Sequence, residues 1–214
     1  TAYQGTQELN LFGDDYRGFA FNKATGHGGG LAVLSGATAN LYGRNTCVPF
    51  NQLWLCLSGN NTEPVSMFFN TADSDDDSDG RGGAIYVSGL GSEVLAENVY
   101  IAANFARDGA GIAAENSATA TIKTAFENEA GPISCWQPGA CTDFNSNLAE
   151  IAGGAFYAET AAVVNVFNAQ VRNHRANAGV AGYVRDNNSI IDVEGSVFFN
   201  NGDDGDGNYN DLYL

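Results

Sequence analysis

The sequence predicts an all-β chain wound as a parallel β-helix, a β-solenoid of about six rungs that occupies residues 1–214 as one domain. Three observations carry the prediction. An apolar residue, two spacers, an amide or histidine, one spacer and a small residue recur six times, each copy followed by a short apolar strand that is usually glycine-rich. Between copies run stretches of period-two alternation, the mark of a half-buried strand. No segment longer than about ten residues carries apolar positions at helical spacing.

Leu9 to Gly13 (LNLFG) returns as Ala39 to Gly43 (ANLYG), so the sequence begins inside the pattern. Phe19, Asn22 and Ala24 form the first motif, followed by the strand GGLAV and the alternating Ala37, Ala39 and Leu41. Met67, Asn70 and Ala72 precede GGAIYV. Ile101, Asn104 and Ala106 precede AGIAA and the alternating Ala118, Ala120 and Ile122. Phe144, Asn147 and Ala149 precede GGAFYA and the alternating Ala162, Val164 and Val166. Val171, His174 and Ala176 precede AGYV, and Val197, Asn200 and Gly202 precede the closing DLYL. The bare repeat is 27 residues from Asn147 to His174 and 26 from His174 to Asn200, whereas intervals of 48, 34 and 43 residues contain insertions. These insertions fall at about residues 43–66, 73–81 and 126–143.

Each motif position has a mechanical role in such a coil. The apolar residue stacks inside, the alanine fits where the wall narrows, and the glycines take backbone angles other residues reach only at a cost. Asparagine suits a left-handed corner, and its amide can bond to the same amide one rung away. Asn22, Asn70, Asn104, Asn147, His174 and Asn200 are the expected ladder. Strands stacked about 4.8 Å apart would give a rod about 30 Å long.

The FxxN steps at Phe19 to Asn22 and Phe144 to Asn147, together with Gly82-Gly83-Ala84-Ile85, resemble the repeats of chlamydial polymorphic outer-membrane proteins and related surface β-helix proteins. GGAF at 153–156 and GAGI at 109–112 are near matches, and the resemblance covers roughly residues 8–214. It implies a right-handed β-helix displayed outside the cell in adhesion or surface architecture. It carries over no catalytic residue.

Charge narrows the partners. Nine basic against 25 acidic residues give a formal charge of −16, which repels nucleic acid and anionic lipid. No apolar run approaches a membrane span, and no cleavable signal is visible at the amino end. A chain that begins at Thr1 reads as a processed form or an excised piece.

All four cysteines lie in two insertions at one corner of the coil: Cys47 and Cys56 in the first, Cys135 and Cys141 in the second. Two local disulfides in an oxidising compartment are expected, each contributing near the low end of about 2–4 kcal/mol because the loops are short. Reduced surface thiols and metal ligation are the alternatives, the latter disfavoured by spacings unlike those of zinc sites. Asn60-Asn61-Thr62 and Asn187-Asn188-Ser189 match the acceptor pattern for N-glycosylation at Asn60 and Asn187.

No cofactor is required by this reading, and calcium is the one candidate ion. Asp75, Asp77 and Asp79, followed by Gly80, space three carboxylates as in the start of a calcium loop, although Tyr86 stands where the bidentate glutamate would be. Asp204 and Asp206 form a second, looser cluster. A solvated acidic loop is the plain alternative for both.

Enzymatic activity is not expected. A polyuronate lyase needs basic residues at one place, and Lys23, Lys123 and seven arginines are scattered over different rungs. Asp192 and Glu194, about 7 Å apart on one strand face, could be offered as a hydrolase pair but read as an exposed polar stripe. Mixed outward columns, Thr38, Thr119, Val163 and Ile190 beside Asn40, Thr121, Asn165 and Asp192, argue against ice binding.

The expected function is therefore that of a secreted, non-enzymatic structural protein, self-associating end to end as a filament subunit or forming a segment of a longer surface protein. The alternative is an adhesin or carbohydrate-binding module that presents Trp54, Trp136 and Phe50 on the cysteine loops to glycans or surface polymers.

Overall fold

The fold was analysed in a computed structural model that describes residues 2–4, 8–12, 18–45, 48–50, 53–55, 62–72, 79–125, 141–202 and 212–213. Within these residues every regular element is a strand. Most strands belong to four parallel sheets, which the chain visits in one cyclic order.

Sheet 1 stacks Ala2–Gln4, Leu31–Leu34, Ile85–Ser88, Ile112–Glu115, Phe156–Glu159, Gly182–Val184 and Leu212–Tyr213. Sheet 2 stacks Glu8–Phe12, Thr38–Tyr42, Glu93–Glu97, Thr119–Lys123, Val163–Phe167 and Ile190–Glu194. Sheet 3 stacks Gly18–Ala20, Val65–Phe68, Val99–Ala102, Thr142–Asn145, Ala169–Arg172 and Val197–Phe199. Sheet 4 holds Lys23–Ala24, Thr71–Ala72, Phe105–Asp108 and Leu148–Ala152, extended by bridges from Leu148 to Arg175 and from Ala152 to Ala178. Each strand pairs with its counterpart one circuit away, the connectivity compatible with a β-solenoid.

Alternation accounts for the interior. In sheet 2 the pairing aligns Leu9 with Ala39 and Leu11 with Leu41, then continues through Ala96, Ile122, Val166 and Val193. Ala39, Leu41, Ala96, Ile122 and Val166 are fully buried, while Thr38, Asn40, Thr119 and Thr121 alternate with them at the surface. At about 25 cal/mol per Å² of apolar area, such rows supply the main favourable term, and no coil can gain it alone.

Corners decide where the chain may turn. Between sheets 4 and 1 the second glycine is required by close approach: a Cβ at Gly83 would lie 2.6 Å from the carbonyl oxygens of Phe105 and Ala110. Between sheets 3 and 4 the left-handed residue is not glycine but Phe21, Phe69, Ala103, Ser146, Asn173 or Asn200, with φ between 52° and 59°. The ladder asparagines are the residues that follow. The expectation that the ladder amide itself occupies the left-handed corner is thus corrected by one position.

The first insertion contains two antiparallel pairs, Arg44–Asn45 with Thr62–Glu63 and Val48–Phe50 with Leu53–Leu55. Its ends, and those of the insertion after Lys123, lie between sheets 2 and 3, the shared corner expected from the sequence.

Candidate functional site

Two side-chain systems stand out, one inside the coil and one on its surface. Inside, the Asn22 amide donates to Asn70 Oδ1 at 2.9 Å, Asn70 to Asn104 at 3.0 Å, and Asn104 to Asn147 at 2.9 Å. Each accepting Oδ1 also takes the backbone N–H of the preceding ladder residue, at 3.2, 3.0 and 3.0 Å. Second amide protons go to the carbonyls of Phe19, Met67 and Ile101. Asn70, Asn104 and Asn147 are almost wholly buried, and this pairing is what makes their burial tolerable, whereas Asn22 at the start of the column is exposed.

His174 continues the column with an imidazole. Its Nδ1 accepts the Asn147 backbone N–H at 3.2 Å, and its Nε2 lies 3.1 Å from the Phe144 carbonyl, which can only accept. The proton therefore resides on Nε2. Full burial, reinforced by the charge of Arg172, pulls the imidazole down to about 4 against the hydrogen bonds that favour it.

The sixth ladder residue is Asn201, not Asn200. Val171 pairs with Phe198, placing Asn201 where its Oδ1 accepts the His174 N–H at 3.1 Å and its Nδ2 donates to Val171 at 3.0 Å. Asn200 is exposed in the left-handed corner.

On the surface, the strands of sheet 1 turn Tyr86, Ala113, Tyr157 and Tyr183 outward in one column and Ser88, Glu115 and Glu159 in the next. Outward here does not mean exposed, because Tyr86 and Tyr157 pack with Ala113 and Ala152 and retain 6% and 1% of their area. Sheet 4 and its corner thus wall one side of a groove. Arg81, just before Gly82, reaches along the groove: its guanidinium bonds Glu115, lies 2.8 Å from Glu159 and 3.6 Å from Asp108, and sits 5.3 Å over the Tyr157 ring. Tyr86 Oη donates to Glu115 at 2.9 Å and Tyr157 Oη to Glu159 at 3.0 Å. Arg185 closes the cluster, with Nη1 3.2 Å from Tyr157 Oη and Nε 3.3 Å from Glu159.

Burial sets the protonation equilibria here. Desolvation pushes the Tyr86 phenol up to about 12 and raises Tyr157 as well. Desolvation also raises the Asp108 carboxyl, opposed by Arg81, Arg107 and Arg185. For Arg81 desolvation opposes the charge, but Glu115, Tyr157 and Glu159 together more than offset it and the guanidinium stays protonated. Beside the cluster opens a cleft of about 170 Å³ lined by Arg107, Asp108, Ile151, Tyr157, Tyr183 and Arg185.

Several residues singled out from the sequence fall elsewhere. Asp79 is exposed, while Asp75, Asp77, Asp204 and Asp206 lie outside the described residues. Among the described residues no three His, Cys, Asp or Glu side chains are grouped to hold a metal ion. Cys141 is buried, whereas Cys47, Cys56, Cys135, Trp136 and Asn60 lie outside the described residues. Trp54 belongs to the strand paired with Val48–Phe50, opposite Pro49. Asn187 is exposed in a turn held by Asp186, whose Oδ1 accepts from the Asn188 and Ser189 backbone at 2.8 and 3.0 Å. Those bonds, the one from Asn188 first, lower the Asp186 carboxyl. Asp192 and Glu194 are both exposed on sheet 2, on the polar stripe.

The groove was not singled out from the sequence. Its signal is the tyrosine that recurs in GGAIYV, GGAFYA and AGYV, with a carboxylate two residues later in GGAFYAE. No family model, no curated protein and no solved structure matches the chain.

Proposed function

We propose that this chain is a secreted, non-enzymatic structural module, a right-handed parallel β-helix of about six rungs displayed at a cell surface or built into an extracellular filament. One observation carries the reading. The ladder from Asn22 through His174 to Asn201 commits buried polar groups of successive coils to holding the next coil in register. Right-handed winding is the hand that parallel strand crossovers adopt, and the FxxN and GGA steps add the resemblance to displayed bacterial repeats. The non-enzymatic role is supported by Glu115 and Glu159, which are paired with Arg81 and with tyrosine hydroxyls in a manner suited to fixing a surface.

Disulfides within Cys47–Cys56 and Cys135–Cys141, glycans at Asn60 and Asn187, and calcium at Asp75, Asp77 and Asp79 belong to the same extracellular proposal. So does end-to-end association. Among the described residues Ala2–Gln4 and Leu212–Tyr213 are the outermost strands of sheet 1, and a parallel ladder accepts any further strand of matching register, from a longer chain or a second copy. Negative-stain electron microscopy with sedimentation velocity, across micromolar concentrations with and without calcium, tests association. Filaments with an axial repeat near about 30 Å support it. Monodisperse short rods at every concentration refute the filament and leave the displayed module.

A second reading, a carbohydrate-binding surface, is favoured by the groove of tyrosines and arginines between sheets 1 and 4 rather than by Trp54 and Trp136.

A further inference from the structure

We infer that Asn201 is a self-modifying site: when the sixth coil opens, the Gly202 backbone nitrogen attacks the Asn201 amide, and the carboxylate that results keeps the coil from closing again. The inference is independent of whether coils associate and of what the surface binds.

Asn201 is the one asparagine in the sequence that is followed by glycine. Attack by the next residue's backbone nitrogen on a side-chain amide closes a five-membered ring. Most residues hinder that approach with a Cβ, whereas glycine has none and reaches the required backbone angles freely. The new bond joins Gly202 N to Asn201 Cγ, and the bond from Cγ to Nδ2 breaks. Ammonia leaves, carrying the proton given up by the Gly202 N–H. Water then opens the cyclic imide at either carbonyl, producing aspartate or its β-linked isomer. Solvent is the only co-reactant.

The closed coil ties down both reacting groups. Asn201 is 6% exposed, its Oδ1 accepts the His174 N–H at 3.1 Å, and its Nδ2 donates to the Val171 carbonyl at 3.0 Å. The Gly202 N–H is itself engaged, donating to the His174 carbonyl at 3.1 Å. An amide fixed at both ends cannot swing onto a nitrogen whose proton is held elsewhere. The reaction therefore waits for local opening, at a rate set by the open fraction. The sixth coil is built to open. Val166 and Val171 of the fifth coil are fully buried, whereas their partners Val193 and Phe198 in the sixth are only half-buried. Few buried apolar contacts are what let a segment separate locally.

Closure after the reaction is opposed by the product. The Val171 carbonyl, which received an amide proton, would face a carboxylate oxygen, and both can only accept. Burying that charge without a donor is costly. In the β-linked isomer an extra backbone methylene also displaces Gly202 from the His174 carbonyl.

Peptide mass spectrometry of the full chain, incubated in mildly alkaline buffer, follows the mass gain from amide to acid at Asn201. Conversion occurs in the folded chain, at least about tenfold more slowly than in urea, where every coil is open. Phe198→Ala, which loosens the sixth coil, speeds conversion of the folded chain about tenfold and leaves the rate in urea unchanged. Circular dichroism checks that this variant folds, and urea below the unfolding transition gives the unaltered chain the same loosening if it does not. Equal rates in folded and unfolded chains overturn the protection by the ladder. A folded chain that stays unconverted, with no response to either form of loosening, overturns the site. Asn201→Asp carries the product directly: hydrogen exchange at the His174 N–H becomes about tenfold faster, while the Asn104 N–H is unaffected. Unchanged protection of His174 overturns the block to closure.

Discussion

Asn147 and His174 occupy consecutive positions of one buried column, and the imidazole reproduces the amide's two roles with two ring nitrogens. Nδ1 accepts the Asn147 N–H at 3.2 Å where an amide oxygen would, and Nε2 donates to Phe144 at 3.1 Å where an amide nitrogen would. A second ring proton would face that N–H directly.

The folded chain therefore excludes a proton that the unfolded chain binds between the ordinary imidazole value of 6.5 and about 4. Stability is complete above this window, falls as pH drops through it, and levels off below, the total loss being about 3 kcal/mol. Urea midpoints measured from pH 7.5 to 4 check this against the background titration of the carboxylates. His174→Asn restores an amide to the column and removes that part of the pH dependence.

Asn104 takes two protons from Asn70 and gives one each to Met67 and Asn147. Asn104→Ala leaves these buried groups without partners, and we expect a loss of about 3 kcal/mol in equilibrium unfolding.

The one-residue shift in the sixth coil separates two neighbours that look equivalent in sequence. Asn201→Gly should cost about 2 kcal/mol through lost ladder bonds. Asn200→Gly should be neutral or slightly stabilising, because Asn200 holds a φ of 53° that glycine reaches freely. Thermal melts of the two variants decide the register.

At the sheet 4 to sheet 1 corner, Gly83→Ala forces a methyl group against two carbonyl oxygens and should cost about 2 kcal/mol or more. Gly26→Ala meets nothing within 4 Å and serves as the neutral control in the same denaturation series.

Arg81→Met leaves Glu115 and Glu159 facing each other on adjacent coils with their shared cation gone. A loss of about 3 kcal/mol is expected, and Glu115→Gln in the same chain should recover part of it. A double-mutant cycle by chemical denaturation measures the coupling.

The circuit of strands was legible because alternation and the motif period have one reading in five coils out of six. In the last, the apolar-to-amide step is met both by Val197 to Asn200 and by Phe198 to Asn201, the small residue Gly202 points to the first, and the pairing of Val171 with Phe198 selects the second. The groove was illegible for a different reason. Period-two alternation assigns Tyr86 and Tyr157 to the outer face, which is correct, but solvent is kept from that face by residues of another sheet, Asp108 and Ala152, which no local pattern reveals. Likewise Arg81 looked like one scattered cation because its partners, Glu115 and Glu159, lie one and two coils onward.

The amide column also has a direction. From Asn22 to Asn70 to Asn104 to Asn147, every side-chain to side-chain bond is given in the same sense, so the amide dipoles add along the stack like arrows on one line. A coil placed beyond one end must arrive as acceptor and a coil beyond the other as donor. Two copies of such a column can be joined only nose to tail, and a two-fold arrangement would set like poles against each other. Whatever extends this stack, the chemistry of four asparagines has already fixed its polarity.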